Sequence, residues 1–458
     1  MTDSRVTGLH APGFAEEAVR ERARLGAAAA FPDRAGYGRT LFGATEPGAP
    51  GPGATALGAT GPGATGADLI DALRVVPPVF VPQRLEELIR LGREPVYLDV
   101  DLTTPVGGFL SALPVYLSAF GSTQVASTDL GVAVAIAAGR AGLPMVIGEN
   151  VVPMHGYGRA APDASAGMLL DRVQAYAEQV PDGLGGVVIQ QSTEDADAEV
   201  WNLAYSDPTA TGLLDSGRLA FELKVGQGAK PGLGGMTVVS RDTAATVAEQ
   251  YLVDELFGQD APQVLRCSSP GTFTDEILRQ QIRLMRNNYP RARVWVKLPP
   301  GRDIGAAALV AWAAGADAVT VDGAEGGTGW APLGFLDHVG LPLAECLRRV
   351  GLAAHRADRQ RGCLLASGRM WAGPRAVKTL ALGATAVGLG RAALIAADED
   401  PGHGVGRLLD CLALELRLLI SAVGKYSPAA LDGDDIWQPD GLAPDGLRGE
   451  RTHEYLNH

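Results

Sequence analysis

The chain has 458 residues, 46% of them apolar, and a net charge of −13 from 39 Lys and Arg against 52 Asp and Glu. That is enough apolar content for one large domain or two or three small ones, and the acidic balance argues against a nucleic-acid or anionic-membrane surface, since both reward clustered cations. No run of about 18 uncharged apolar residues suggests a membrane span. The opening MTDSRVTGLHAPGFAEEAVRERARLG has no apolar core of a signal peptide, and Cys267, Cys346, Cys363 and Cys411 lack the close spacing of zinc or iron–sulfur ligands, so the reading is a cytoplasmic protein with buried thiols and no metal.

Residues 1–42 are polar to mixed and carry one helical stretch over 16–30. Residues 43–66, GATEPGAPGPGATALGATGPGATG, show no apolar periodicity and cannot bury enough surface to offset their ordering entropy; they read as a flexible tether. Continuous globular sequence follows over 67–431, and 432–458 reads as a C-terminal tail. Within the globular part, short β-rich runs alternate with longer helical ones. The candidate strands are 115–120, 144–147, 187–191, 220–225, 264–267, 294–298, 318–321, 363–366 and 386–388, with alanine-rich amphipathic segments such as 304–314 and 372–382 between them. Strand, crossover helix and strand at this rhythm predict an α/β fold with a parallel sheet, and eight or nine units over this length fit a (β/α)8 TIM barrel with an N-terminal extension. One of the nine candidates is surplus, and 187–191 with 220–225 is where the surplus is expected. The helix over 408–420 is expected to cover the barrel's exterior.

Glycine clusters fall directly after strands: GQGAKPGLGG after Val225, DGAEGGTGW after Val321, SGR after Ala366 and GLGR after Val387. In a barrel all such turns lie on the C-terminal face, where active sites are built. Ser367-Gly368-Arg369 and Gly388-Leu389-Gly390-Arg391 place glycines where backbone can approach a ligand, and the second opens a helical run, so amides at a helix N-terminus with arginine at hand predict a phosphate site. Lys297, at the end of the strand-like VWVKL, is a candidate cation in the barrel mouth, able to stabilise negative charge on a ligand. Asp322 and the glycines after it, through Gly326, Gly327 and Thr328, form a turn against which a flat ring or phosphate can lie. Lys224, Gln227 and Lys230 put two cations and an amide in one glycine-rich stretch suited to a dicarboxylate.

ELKVGQGAKPGLGG resembles a signature of the FMN-binding synthase domain of glutamate synthase, and FVPQRL, LSAFGS, Gly148-Glu149, VKLPPG, DGAEGGTGWAP and GLGRAAL follow in that family's order, over about three quarters of the chain. The resemblance implies FMN in the barrel mouth. Ala119, Phe120, Gly121, Ser122, Gln191 and Lys297 are then expected at the isoalloxazine, with Asp322, Gly326, Gly327 and Thr328 along one side. Ser367, Gly368, Arg369, Gly388, Gly390 and Arg391 are expected around the phosphate and its chain. Lys230 and Lys224 are expected to meet the substrate carboxylate, with Glu149 and Gln227 nearby, Lys297 and Glu149 being the catalytic candidates. It further implies reduction of an imine of a 2-oxo acid, 2-oxoglutarate in the family, to an amino acid.

This sequence departs from the family in instructive ways. It starts Met1-Thr2-Asp3 where the mature enzymes begin with the nucleophilic Cys of a glutaminase domain, so ammonia or another amine is expected from solution or from a partner protein. Only Cys411 lies in the region of the family's iron–sulfur cysteines, so electrons are expected from a partner donor. Ser269-Pro270-Gly271-Thr272 lacks the family's histidines, Met236 replaces a polar group, and Ser367 stands where an Asp is common. These losses keep two alternatives in view: FMN-dependent isomerase-type chemistry, since DGAEGGTGW is also similar to type 2 isopentenyl diphosphate isomerase, and a degenerate barrel acting as a scaffold or regulatory subunit. A homo-oligomer is compatible with all of these readings.

Overall fold

The computed structural model describes residues 9–11, 13–32, 69–119, 129–148, 165–192, 198–226, 228, 236–248, 251–267, 273–327, 331–358 and 362–438. Eight parallel strands close on themselves: β1 (Val115–Leu117), β2 (Pro144–Ile147), β3 (Gly186–Ser192), β4 (Leu219–Lys224), β5 (Arg293–Leu298), β6 (Ala318–Asp322), β7 (Cys363–Ser367) and β8 (Ala386–Leu389), with β8 paired to β1. This is the expected (β/α)8 barrel.

The surplus ninth strand is not where the sequence suggested. The runs over 187–191 and 220–225 are both barrel strands, β3 and β4, in parallel register with Gln190 opposite Glu222. The surplus is 264–267. It belongs to Gln263–Cys267, the central strand of a small antiparallel sheet with Met236–Ser240 and Leu252–Asp254, inserted between β4 and β5. An apolar run such as Val264-Leu265 reads alike in parallel and antiparallel settings, because periodicity reports burial and not strand direction.

The crossover helices follow from ordinary local chemistry. They are α2 (Asp129–Arg140), α3 (Ser165–Ala177), α4 (Ala198–Ser206), α5 (Asp275–Asn288), α6 (Ile304–Ala314), α7 (Leu343–Arg356), α8 (Gly373–Ala381) and α9 (Arg391–Glu399); α1 (Glu16–Leu25) precedes them and α10 (Gly404–Ala422) follows. Thr274 caps α5 by accepting from the Ile277 amide at 3.2 Å, with Asp275 and Glu276 in the first turn where the helix dipole favours them. Gly315, at φ +105°, ends α6 in a left-handed conformation that a side chain would strain. The stretch over 16–30 is α1 followed by a tight turn, Gly26–Ala30, and lies against α9 and α10. Residues 432–437 fold back: Lys425 pairs with Asp432 and Asp435, and Ile436–Trp437 pairs antiparallel with Arg74–Val75.

Alternation along the strands builds two cores. Val187, Ile189, Phe221, Val294, Val296, Val319 and Val321 face outward and join the helices in the larger one. Tyr116, Val146, Val188, Ala220, Trp295, Ala318, Leu365 and Ala386 face inward and fill the barrel. A hairpin, Thr104–Val106 with Phe109–Ser111, plugs the N-terminal end: the Trp295 indole donates to the Gly107 carbonyl at 2.9 Å, and Phe109 lies 5.6 Å from the Trp295 ring. Gly107 is required here, since a Cβ would sit 2.4 Å from the indole at a φ of +56°.

Candidate active site at the barrel rim

Moving up the inward-facing rows from that plug, the lining turns polar. The first layer centres on Glu222, which accepts from the Gln190 amide and from Thr320 Oγ1 at 2.9 Å. Burial pushes the Glu222 carboxyl above its ordinary range, while the nearby Lys297 charge draws it back. The Tyr116 hydroxyl is also fully enclosed and has no partner within hydrogen-bond geometry among the described residues; burial holds it well above the usual phenol range.

One layer higher, Lys297 Nζ lies 3.2 Å from Asp322 Oδ2, both side chains almost wholly buried. Ser367 Oγ donates to the other Asp322 oxygen at 2.6 Å, and the Gly228 amide donates to Oδ2 at 3.1 Å. Asp322, at the end of β6, thus ties the turn after β4 to the C-terminal ends of β5 and β7. Glycine makes this convergence possible: a Cβ on Gly326 would meet the Asp322 carboxyl at 2.7 Å, and one on Gly228 would meet the Gly326 carbonyl at 2.9 Å. Lys224, buried, stands in register with Lys297 on the neighbouring strand.

At the outer edge, the turns after β7 and β8 bring Arg369 and Arg391 together. Arg369 adopts φ +52°, which is rare outside glycine, directly after Gly368 at +140°. Arg391 is the first residue of α9, behind Gly390 at the N-cap. Burial and the positive charge of Arg369 both disfavour the charged form of Arg391. Two arginines on adjacent turns, one of them opening a helix, suit an anion.

The structure therefore gathers Lys224, Lys297, Asp322, Gly326, Gly327, Ser367, Gly368, Arg369, Gly388, Gly390 and Arg391 at one rim. Ala119 lies beside the inner core, and Phe120, Gly121, Ser122, Glu149, Gln227, Lys230 and Thr328 lie outside the described residues. Gln191 needs correction. It shares the outward parity of Val187 and Ile189 and donates to the Gln190 carbonyl, so Gln190 is the glutamine that faces the interior. Gln190, Glu222, Thr320 and Tyr116 escaped the sequence reading, although parity with Lys224 and with Asp322 on their own strands points to Glu222 and Thr320. Among the described residues there is no cluster able to hold a metal ion and no helix long and apolar enough to cross a membrane.

A closed parallel barrel with a charged, glycine-lined C-terminal rim defines a (β/α)8 protein of the enzyme type. A family model described as a conserved region in glutamate synthase matches residues 127–398, more than half of the chain, and the chain belongs to this family. The archaeal glutamate synthase (NADPH) of Methanocaldococcus jannaschii is 34% identical over 179 residues, covering 39% of this chain and 34% of that protein. The archaeal-type glutamate synthase (NADPH) of Thermotoga neapolitana is 34% identical over 272 residues, 52% of this chain and 50% of that protein. The chain thus spans between a third and a half of the length of these relatives. Among solved structures, an active chimera of (S)-mandelate dehydrogenase superposes with a TM-score of 0.52 at 17% identity over 93% of this chain and 99% of that one. A flavocytochrome b2 variant with sulfite bound gives 0.51 at 17% identity over 84% and 82%. At these identities the two structures speak for the fold alone.

Proposed function

We propose that the rim binds FMN and that the chain is an FMN-dependent oxidoreductase reducing an imine of a 2-oxo acid, of the 2-oxoglutarate type, to an amino acid. The observation that carries this reading is the placement of Arg369 and Arg391 on the turns after β7 and β8, with Arg391 opening α9, beside the buried Lys297–Asp322–Ser367 cluster. The donor set fits the cofactor: two arginines and the amide end of a helix suit a phosphate dianion, and a barrel lysine suits the electron-rich edge of a flavin. Family membership and the relatives named as glutamate synthases support the same assignment.

When bound, FMN supplies hydride transfer at its N5 position. The chain's own groups do the rest. Arg369 and Arg391 would hold the phosphate, with the turn through Gly388 and Gly390 beside them. Asp322 fixes Lys297 through a salt bridge, and the Ser367 hydroxyl and Gly228 amide hold Asp322 in place, so the ammonium keeps one position from which to stabilise negative charge. Lys224, with Lys230, Gln227 and Glu149, receives the substrate's carboxylates and amine. Electrons and ammonia, or another amine, arrive from solution or partner proteins.

The test begins with the colour of the purified protein, which should carry flavin absorbance. Under anaerobic conditions the reduced flavin in the protein should reoxidise on adding 2-oxoglutarate with ammonium, and not with either alone. Failure of every 2-oxo acid and amine pair to reoxidise it removes imine reduction from consideration.

A further inference from the structure

Resting on the reading of Arg369 and Arg391 as the phosphate site, we infer that α1 is a brace for the two arginine-bearing turns, with Phe14 as the positioning residue for Arg391. In the sequence α1 is set apart from the barrel by residues 33–68, yet its contacts converge on the helix and turns that carry the anion site.

The brace grips α9 at both ends. At the front, the Arg391 guanidinium lies over the Phe14 ring, 5.4 Å from its centroid. At the back, Arg20 bonds Asp398 at 2.9 Å and Glu399 at 3.0 Å, the Leu9 amide donates to Asp398 at 3.0 Å, and Arg24 reaches Glu399 at 2.9 Å. These two ends are roughly 10 Å apart at 1.5 Å of rise per residue, so α9 cannot tilt without breaking one of them. A third hold reaches the other turn. Arg22 stacks on Trp371, two residues beyond Arg369, at 4.7 Å, and bonds one oxygen of Glu415 at 2.8 Å while the other accepts from the Gly373 amide at 2.6 Å. Val19 and Ala23 are completely buried beneath these polar contacts.

Such a brace answers a physical need. Burial and the charge of Arg369 both disfavour the charged form of Arg391, and an unsupported Arg391 would swing toward water. An aromatic face attracts a guanidinium and confines it without neutralising it, leaving its N–H groups for a ligand. The Asp398 and Glu399 carboxylates are engaged by Arg20 and Arg24 at the far end of α9, where they do not compete with the phosphate.

The full-length protein stripped of flavin should be titrated with FMN and, separately, with riboflavin, which has the ring but no phosphate. Phe14→Ala is expected to raise the FMN dissociation constant about three- to tenfold, in line with a partly desolvated cation–π contact, and to leave riboflavin binding unchanged. Phe14→Trp should restore FMN binding. In an Arg391→Ala background, Phe14→Ala should add nothing, because its effect passes through that arginine. Unchanged FMN affinity in Phe14→Ala, or equal weakening for FMN and riboflavin, overturns the positioning role. Wild-type protein that binds riboflavin as tightly as FMN overturns the phosphate reading itself, and the brace with it.

Discussion

The two ends of this barrel are made by the same strands and behave as opposites. In β5, Trp295 closes the floor and Lys297, two residues on, opens the rim; β7 passes from Leu365 to Ser367, β8 from Ala386 to Gly388, and β6 from Ala318 through Thr320 to Asp322. A two-residue step is about 7 Å along a strand, so apolar packing gives way to buried charge within one turn of the pleat. The floor is sealed by a hairpin and packed with apolar side chains, whereas the rim is stocked with cations and glycine, and binding is proposed there. The buried Lys297 of the rim is paired with Asp322, whereas the positive charge of Arg369 disfavours that of Arg391.

The largest blow to that contrast falls on the floor. Trp295 is fully buried against Phe109, Tyr116 and the Gly107 carbonyl. Trp295→Ala should destabilise the protein by about 3–5 kcal/mol, the range for truncating a buried large aromatic, seen as a lower urea midpoint in flavin-free protein. A loss under about 1 kcal/mol would mean the plug is not the stability element its packing indicates.

Next in size is the converse change at the rim. Arg391→Ala should weaken FMN by about 10- to 150-fold, the worth of a charge-assisted hydrogen bond of about 1.5–3 kcal/mol, and spare riboflavin. Flavin-free Arg391→Ala should unfold at the same urea concentration as wild type or a higher one, because the substitution removes a cation that burial and Arg369 already disfavour. Lost stability without lost affinity would reverse the roles assigned to the two ends.

These regions were unequally legible in the sequence. The barrel and its rim glycines announced themselves, because strand, helix and Gly-rich turn recur in order and each turn must fall on one face. Arg369 and Arg391 were visible for the same reason. The Gln190–Glu222–Thr320 layer was not, since a lone Glu between Phe221 and Leu223 gains meaning only when register shows what stands opposite. Gln191 was expected from the family resemblance alone, and it takes register to show that Gln190 is the residue opposite Glu222. The brace was beyond reach: Phe14 and Arg391 are separated by most of the chain, and no local pattern encodes their meeting.

The smallest effect tests the boundary between the two ends, where Glu222 lies. Burial raises its folded-state pKa above the value of about 4.3 it has in an unfolded chain. Below that pH both states hold the proton and its contribution to stability is complete. As pH rises further the unfolded chain releases the proton first, the folded state binds more, and stability falls until pH passes the folded pKa. One proton limits the slope to about 1.4 kcal/mol per pH unit. Glu222→Gln has no proton to exchange, so its stability relative to wild type should climb with pH above about 4.3 and then level off, in urea titrations across a pH series. A pH-independent difference would mean that Lys297 and the two donors to Glu222 cancel its burial, which would place this carboxylate with the charged rim and move the boundary down to Tyr116 and Trp295.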